Sequence, residues 1–333
     1  MQHKILLAAS LLVLGLNPAM AVQKNAQVDV FYYDLSDPFV ASLRAAMEAE
    51  GQALKVAIRQ ANAHDDPYTQ IAQLEACDYK NPILVNLVDR NYGTELIKKA
   101  APHHARVVFF NRDPGVVTLQ SYPNAFFVGS DSMAGGRLQG EMILDYLKAH
   151  PECDRNHDGV INAVLFKGDI GHSASEQRMQ NAISVLRSGG IELRQMAVLR
   201  ANWSESQATE QLTNLLIKVK PEDVELILSN NDAMAIGALH VLKSNGYNQG
   251  QADGKYIPVF GFDGLDQAIE AVNKGELAGT VRSDYQTRAR VTLKIALSAS
   301  SSPEQLTRET GYPMDTNRYV MVPYQSYIRD QKP

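Results

Sequence analysis

The stretch DRNHDGVIN, residues 154–162, places oxygen-bearing side chains at the spacing of a calcium-binding loop. Asp154, Asn156 and Asp158 take the first, third and fifth places, and a glycine takes the sixth, as at the start of an EF-hand. An EF-hand loop ends on a bidentate glutamate at its twelfth place, where this chain has Leu165 inside an apolar run. A calcium site here therefore needs a carboxylate from elsewhere in the chain, and the alternative is an ordinary acidic turn.

Sequence motifs of catalysis are missing from the chain. It contains no G-x-G-x-x-G after its first apolar run, no G-x-x-x-x-G-K-[ST], no G-x-S-x-G and no H-E-x-x-H, and its eight histidines lack metal-ligand spacing. A formal net charge of -5, with no basic block and no helix-turn-helix segment, argues against a nucleic-acid partner. The sequence motifs therefore indicate no enzyme class and no nucleic-acid-binding protein.

Residues 1–21 have the three parts of a secretory signal peptide. A basic opening, MQHK, is followed by an apolar stretch and by the small-x-small cleavage site AMA. No later run is long and apolar enough to span a bilayer, so we expect a soluble, exported mature protein. Its two cysteines, Cys77 and Cys153, could pair in an oxidising compartment, but they fall in different predicted lobes and we expect two separate thiols.

From residue 28 onward, short apolar runs alternate with longer amphipathic ones. Fully apolar strands of this kind are typical of parallel sheets that helices cover on both faces. The alternation restarts near residue 132, which predicts two doubly wound α/β lobes in series. The predicted strands are 28–33, 55–61, 82–88, 106–111, 125–131, 161–168, 191–201, 225–232 and 258–264.

Polar residues directly follow most of these strands. In open parallel sheets, ligands bind beyond the carboxyl ends of the strands, so we expect a binding site among these residues. The alternative for each of them is the role of a helix cap. The stretches concerned are 34–39, 86–89, 111–113, 167–172, 230–232 and Asp263.

The stretches DPF, VVFFNRDP, FKGDIGH, NNDAMAIGAL and PVFGFDG together resemble the bacterial periplasmic galactose/glucose-binding proteins. The resemblance runs nearly end to end and implies the type I periplasmic binding protein fold, an α/β fold of two Rossmann-like doubly wound lobes joined by three hinge crossings. The implied segments are an N-terminal lobe of residues 22–130 plus 284–311 and a C-terminal lobe of residues 131–283 plus 312–333, with the calcium loop 154–162 in the latter.

The resemblance also implies a function in the periplasm. Such a protein captures a hexose or hexoside, galactose-like or glucose-like, by hinge closure and delivers it to an inner-membrane ABC permease. It also presents the sugar to a methyl-accepting chemoreceptor. We expect a monomer.

The resemblance supplies the missing calcium ligand. In that family a glutamate from a distant strand completes the loop, and the matching residue here is Glu225. The chain after the loop enters a predicted strand, and the start of a neighbouring strand is well placed to provide the last carboxylate. Seven oxygens, a normal number for calcium, would come from Asp154, Asn156, Asp158, the carbonyl of Val160, Asn162 and both oxygens of Glu225. The expected role of the ion is structural.

Eight residues match the family's sugar site. Hexoses present apolar faces and a rim of hydroxyl groups, which favours aromatic plates surrounded by carboxylates, amides and a guanidinium. The matching residues are the plates Phe39 and Trp203, the carboxylates and amides Asp37, Asn111, Asn231 and Asp263, the imidazole of His172 and the guanidinium of Arg178. Asp37 should also cap the first helix, and Asp232 should cap a later helix without touching the sugar.

Two residues depart from the family pattern. Ala174 stands where the family has an aspartate that contacts the anomeric hydroxyl, and Ser283 stands where it has an asparagine. Losing one charged hydrogen bond costs about 1.5–3 kcal/mol. The ligand is therefore expected to carry a substituent at its anomeric position, as in a galactoside, or to be another pyranose.

Two other functions are compatible with the same residues. A sensor that presents its closed form only to a membrane receptor or kinase would need the same sugar site. A glycoside-acting enzyme would need an acid–base pair, for which Asp37 and Asp263 on opposite lobes are candidates that only their acidity favours.

Overall fold

The computed structural model describes residues 26–250 and 255–329. The predicted signal peptide, residues 1–21, lies outside the described residues. The strands are β1 (Gln27–Tyr32), β2 (Ala57–Asn62), β3 (Ile83–Val85), β4 (Val107–Phe110), β5 (Ala125–Gly129), β6 (Val160–Lys167), β7 (Glu192–Arg200), β8 (Leu226–Ser229), β9 (Val259–Asp263), β10 (Gly279–Arg282), β11 (Tyr319–Met321) and β12 (Gln325–Ile328).

Helices follow most of the strands, as the alternating pattern predicts. They are α1 (Pro38–Leu54), α2 (Pro67–Glu75), α3 (Gly93–Ala100), α4 (Val116–Gln120), α5 (Ser132–Ala149), α6 (Ser173–Ser188), α7 (Glu205–Leu216), α8 (Asp232–Ser244), α9 (Asp266–Asn273), α10 (Tyr285–Leu297) and α11 (Pro303–Thr310).

The strands form two six-stranded sheets, one for each lobe. The first has the order β11-β5-β4-β3-β1-β2 and is parallel throughout. The second has the order β12-β10-β9-β8-β6-β7, in which only β12 runs antiparallel to its neighbour. The prediction of two doubly wound α/β lobes is confirmed.

The chain passes between the two sheets three times in the part that the structure describes. The first passage follows β5 and the second follows β10, at the predicted boundaries of 130/131 and 283/284. The predicted third boundary was wrong, because β11, inside the segment 312–333 assigned to the C-terminal lobe, pairs with β5 in the first sheet. The third passage lies between β11 and β12. A three-residue strand is too short to show an apolar period, so the sequence carried no signal for it.

Apolar side chains fill the interior of both lobes, and one cluster of buried residues contains side chains from the two. Phe109 and Phe126 are fully buried in the first lobe, and Phe166 and Phe260 are fully buried in the second. Burying one such side chain contributes about 1.5–3 kcal/mol, so these aromatic side chains stabilise both lobes. Helix α10 packs on α1 in the first lobe, and α5 packs on α6 in the second.

Both cysteines are free thiols, as predicted. Cys77 is half-buried in the first lobe, and Cys153 is buried in the second. Among the described helices, none combines the length and the hydropathy needed to cross a membrane.

Candidate functional site

A cavity lies between the two lobes at the carboxyl ends of their strands. Inside it, the space that the centre of a water molecule can reach is ≈ 60 Å³. It is lined by Tyr33, Asp37, Phe39, Asn111, Arg112, Ser130, Ser132, His172, Ala174, Arg178, Trp203, Asn231, Asp263, Arg288 and Tyr324. All eight residues predicted to bind sugar are therefore brought together here.

A larger depression lies at the other end of the first sheet, where its strands begin. Its volume, defined in the same way, is ≈ 740 Å³. Its lining residues include Gln27, Pro82 and Arg106. It contains none of the predicted binding residues, and ligands of open α/β sheets bind at the carboxyl ends of the strands. The interlobe cavity is therefore the candidate site.

The two predicted aromatic plates come from different lobes. Phe39 lies in the first turn of α1, two residues after the N-cap residue Asp37, and its ring packs on Tyr285 at 5.3 Å between centroids. Trp203 follows β7 with a positive φ of 64° and donates a hydrogen bond from Nε1 to Asp169 Oδ2 at 2.9 Å. A Cβ atom on Gly168 would lie 2.1 Å from the Trp203 ring, so only glycine fits beneath it.

Three residues that line the cavity have strained backbone conformations. Asn111, Trp203 and Asp263 have φ values of 64°, 64° and 122°, a region that residues with a Cβ atom rarely adopt. Such conformations cost about 1–3 kcal/mol each and persist where the surrounding structure enforces them, which is most often at functional sites. In each case the residue comes at or just after the end of a strand and lines the cavity.

The two carboxylates of the cavity have different partners. Asp37 caps α1 by accepting a hydrogen bond from Phe39 N at 2.8 Å, as predicted, and its other oxygen accepts from the Tyr33 hydroxyl. Asp263 is only 3% exposed, and its Oδ1 lies 3.7 Å from Arg178 Nη1. Burial raises the pKa of Asp263 well above its ordinary value, and Arg178 partly offsets this.

One of the two amides is already engaged by the protein. Asn231 Oδ1 accepts from Met234 N at 2.9 Å, which caps α8, and its Nδ2 donates to the Trp203 carbonyl at 3.0 Å. Asp232, expected to be the cap, instead accepts from Thr280 and from backbone amides beyond β9. Asn231 therefore positions Trp203 in addition to lining the cavity.

Several polar atoms around the cavity lack a hydrogen-bond partner among the residues that the structure describes. They belong to Ser130 (Oγ), His172 (Nδ1), Arg178 (Nε) and Arg288 (Nε), and all four atoms are buried. Buried polar groups are nearly always paired in folded proteins, so a polar ligand is the natural partner for such a cluster.

His172 is held in its neutral form. Burial, followed by the charges of Arg112 and Arg178, lowers the pKa of the His172 imidazole to about 3. Its ring meets the Trp203 ring edge-on at 5.1 Å. A neutral imidazole has one donor and one acceptor nitrogen, which suits a hydroxyl group.

Besides Ala174, six lining residues are not among the eight predicted to bind sugar, although Arg112 lies in the stretch 111–113 where a binding site was expected. Arg112 follows the predicted Asn111 directly, and Ser130 and Ser132 follow β5, so their positions at strand ends were available as a signal. Arg288 lies inside α10 and Tyr324 in the third passage, where no local pattern marks them. The other missed residue, Tyr33, follows β1 and carries the Arg112 guanidinium over its ring at 3.7 Å.

The predicted calcium loop lies at the far end of the second lobe, and its last three residues are the first three of β6. Its side chains form turns with its own backbone: Asp154 accepts from Asp158 N and from Gly159 N at 3.2 and 2.9 Å. Glu225, at the start of β8, is 1% exposed and reaches the loop. Its two oxygens accept from Arg155 N and Asn162 N at 2.8 Å each.

A guanidinium from the neighbouring strand also contacts the loop. Arg194 Nη1 lies 2.9 Å from Asn162 Oδ1 and 3.4 Å from Asp158 Oδ2. Within the described residues, the carboxylates of Asp154, Asp158 and Glu225 do not gather to within 4.8 Å of one another. The loop and Glu225 offer the oxygen types that calcium prefers. Two of these oxygens, on Asn162 and Asp158, accept hydrogen bonds from Arg194 in the structure.

Comparisons with known proteins agree on one family. Residues 28–302 match the family described as a periplasmic binding protein domain. A D-galactose/methyl-galactoside binding periplasmic protein of Haemophilus influenzae is 32% identical over 316 residues, which cover 94% of this chain and 92% of that protein. A putative rhizopine-binding protein of Rhizobium meliloti is 28% identical over 91% of this chain and 94% of its own length.

Solved structures share the fold. An ABC transporter periplasmic solute binding protein of Actinobacillus succinogenes with bound D-allose superposes with a TM-score of 0.75 at 20% identity, covering 92% of this chain and 99% of that one. A Caulobacter myo-inositol binding protein superposes with a TM-score of 0.70 at 23% identity, covering 94% of this chain and 96% of that one.

Proposed function

The chain belongs to the periplasmic binding protein family, and from this premise we propose that it captures a hexose or hexoside by closing its two lobes. It is a periplasmic sugar-binding protein of the kind that serves ABC transporters, and it is not an enzyme. The observation that most strongly supports a hexose is that eight residues of the right chemistry, from both lobes, line one cavity.

The roles of the residues follow from their chemistry. Phe39 and Trp203 would cover the apolar faces of a pyranose, one from each lobe. Asp37 and Asp263 would accept hydrogen bonds from hydroxyl groups. Arg178, with an unpaired buried Nε, would donate to an oxygen of the sugar.

Closure follows from the division of this site between lobes. A sugar touches both plates only when the lobes are together, so it shifts the equilibrium toward the closed form. Two contacts between the lobes support this proposal: Arg90 Nη1 donates to Ser173 Oγ at 2.7 Å, and Arg112 Nη2 lies 3.9 Å from Asp169 Oδ2. The closed surface would be what the ABC permease recognises.

Galactose or a galactoside is the best supported ligand. The Haemophilus influenzae relative is named for D-galactose and methyl-galactoside. Glucose is the alternative among hexoses. We further propose a monomer that also presents its closed form to a methyl-accepting chemoreceptor. A sensor without transport would use the same site. The presence of permease genes beside its own gene would indicate transport, and their absence would indicate the sensor.

The substitution Ala174→Asp tests the proposed preference for a substituted anomeric position. Ala174 lines the cavity, so an aspartate there would accept a hydrogen bond from a free anomeric hydroxyl. We expect the preference for D-galactose over methyl β-galactoside, measured by calorimetric titration, to rise about tenfold. An unchanged ratio of the two dissociation constants would contradict the proposed substituent.

We propose that the loop 154–162 holds a structural calcium ion. The ligands would be Asp154, Asn156, Asp158, the Val160 carbonyl, Asn162 and Glu225. The proposal is supported by the oxygen donors at EF-hand spacing and by the buried Glu225 carboxylate beside them. Bound calcium would neutralise the three carboxylates, and Arg194 would leave the oxygens that it contacts.

Chelation is expected to lower the thermal midpoint of unfolding. At a free calcium concentration about a hundredfold above Kd, bound calcium would raise the free energy of unfolding by about 2.7 kcal/mol. Glu225→Gln should abolish the difference between calcium and chelator, whereas Glu222→Gln, at an exposed glutamate three positions earlier, should leave the difference intact. Equal midpoints with calcium and with chelator in the unmutated protein would identify the loop as an ordinary turn.

A further inference from the structure

One buried arginine of the cavity has no carboxylate partner within residues 26–250 and 255–329. Arg288 lies on α10, is 3% exposed and lines the cavity. Its Nη1 donates to the Ser283 hydroxyl at 3.0 Å, and its guanidinium lies 5.1 Å from the centre of the Phe39 ring. Its Nε is buried and has no hydrogen-bond partner in this described part of the chain.

The other two arginines of the cavity each have a carboxylate within 4 Å. Arg112 lies 3.9 Å from Asp169 and 4.0 Å from Asp65. Arg178 lies 3.7 Å from Asp263. Arg288 therefore differs from both: its side-chain partner is a neutral hydroxyl, its guanidinium faces an aromatic ring, and the Asp263 carboxylate lies beyond ion-pair distance and offsets its burial only in part.

A buried charge is costly unless an opposite charge or several hydrogen bonds compensate it. Burial lowers the pKa of Arg288, which is the direction expected for a desolvated guanidinium, although an arginine stays charged in proteins. Since Arg288 borders the binding cavity, the missing compensation can come from the ligand.

The unpaired atoms also indicate what kind of group the ligand brings. Arg178 Nε and Arg288 Nε are donors only, and both are buried and unpaired. A hydroxyl group donates as well as accepts, whereas a carboxylate only accepts and matches the planar fork of a guanidinium. The cavity therefore has unused donors that a carboxylate would satisfy better than another hydroxyl.

We propose that the ligand is a hexose derivative with a carboxylate, a hexuronate, and that Arg288 is the counter-ion of that carboxylate. This inference rests on the proposed function, because it assumes that a pyranose ring lies between Phe39 and Trp203. Asp37 and Asp263 remain available for the ring hydroxyls, and Arg178 compensates the charge of Asp263. Ser283 orients the Arg288 guanidinium toward the cavity through the bond to Nη1.

The ligand side of the test needs no mutation. Calorimetric titration compares D-galacturonate, its neutral methyl ester, D-galactose and methyl β-galactoside, with D-glucuronate and D-glucose as the second pair. We expect galacturonate or glucuronate to bind roughly ten- to a hundredfold more tightly than the matching neutral sugar, the effect of one charge-assisted hydrogen-bonded pair. The methyl ester should lose this advantage, since it keeps the shape and removes the charge.

The protein side of the test uses Arg288→Gln, with Arg290→Gln as its matched control. Arg290 lies on the same helix, and its Nη2 donates to Thr287 Oγ1 outside the cavity lining. Arg288→Gln should remove the preference for the uronate, Arg288→Lys should keep part of it, and Arg290→Gln should keep all of it. Thermal unfolding of each variant shows whether the fold is retained.

The outcomes separate this inference from the proposed function. Galactose or methyl galactoside binding with no gain for the uronate would overturn the inference and leave the proposed function standing. A preference for the uronate that survives Arg288→Gln would overturn the role of Arg288. Failure of every sugar in the panel to bind would overturn the proposed function and the inference with it.

Discussion

Replacing Asp263 by alanine is expected to weaken sugar binding by at least about a hundredfold. Asp263 is 3% exposed at the end of β9 and lies 3.7 Å from Arg178 Nη1. The substitution removes an acceptor for the sugar and leaves the buried Arg178 without its carboxylate, which costs about 2–5 kcal/mol in comparable buried pairs. Calorimetric titration with the sugar that binds the unmutated protein most tightly measures the effect.

Asp266→Ala is the matched control for this prediction. Asp266 is an exposed aspartate in the first turn of α9, three residues further along the chain, and does not line the cavity. Its replacement should leave the dissociation constant for the sugar within about twofold of that of the unmutated protein. Surface substitutions rarely change the free energy of unfolding by more than ~0.5 kcal/mol, so the site should keep its structure. Similar losses for both variants, or no loss for Asp263→Ala, would show that Asp263 does not bind the sugar.

Replacing Trp203 by alanine should weaken binding by roughly 30- to 150-fold. Removing a large aromatic anchor at the centre of a binding site costs about 2–3 kcal/mol, from lost apolar contact and lost stacking. Trp203→Phe should weaken sugar binding less than Trp203→Ala does, because it keeps an aromatic ring and removes only the hydrogen bond to Asp169. Trp203 is the only tryptophan of the chain, so its fluorescence also reports sugar binding in the unmutated protein.

Tyr68→Ala serves as the control for aromatic loss. Tyr68 is 80% exposed on α2, away from the cavity. We expect the same dissociation constant as in the unmutated protein. Unchanged sugar affinity in Trp203→Ala would contradict the role of this ring as a plate.

The sequence predicted the strands and the position of the cavity, because both follow from simple residue patterns. Apolar runs marked the strands, and polar residues at their carboxyl ends marked the cavity, because parallel strands deliver those ends to one edge of a sheet. Asn111, Trp203 and Asp263 all occupy such positions. Their positive φ values could not be predicted, since non-glycine residues enter that region only where the fold enforces it.

The features that escaped prediction depend on contacts between distant segments. Arg288 comes from the inner face of a helix, and Tyr324 comes from the third passage between the lobes. Arg194 reaches the loop 154–162 because β7 pairs with β6 in a register that sets it beside Asn162. The third lobe boundary was misplaced for a similar reason, since β11 is recognisable only by its pairing with β5.

The most direct test of the central claim is calorimetric titration of the mature protein after any co-purified sugar has been removed by unfolding and refolding with calcium present. The panel is D-galactose, D-glucose, methyl β-galactoside, D-galacturonate, D-ribose and L-arabinose, with Trp203 fluorescence followed in parallel. We predict saturable one-to-one binding of a hexose, hexoside or hexuronate, accompanied by a change in Trp203 emission. Binding of none of these sugars, or binding that leaves Trp203 emission unchanged, would contradict capture of a hexose between the lobes.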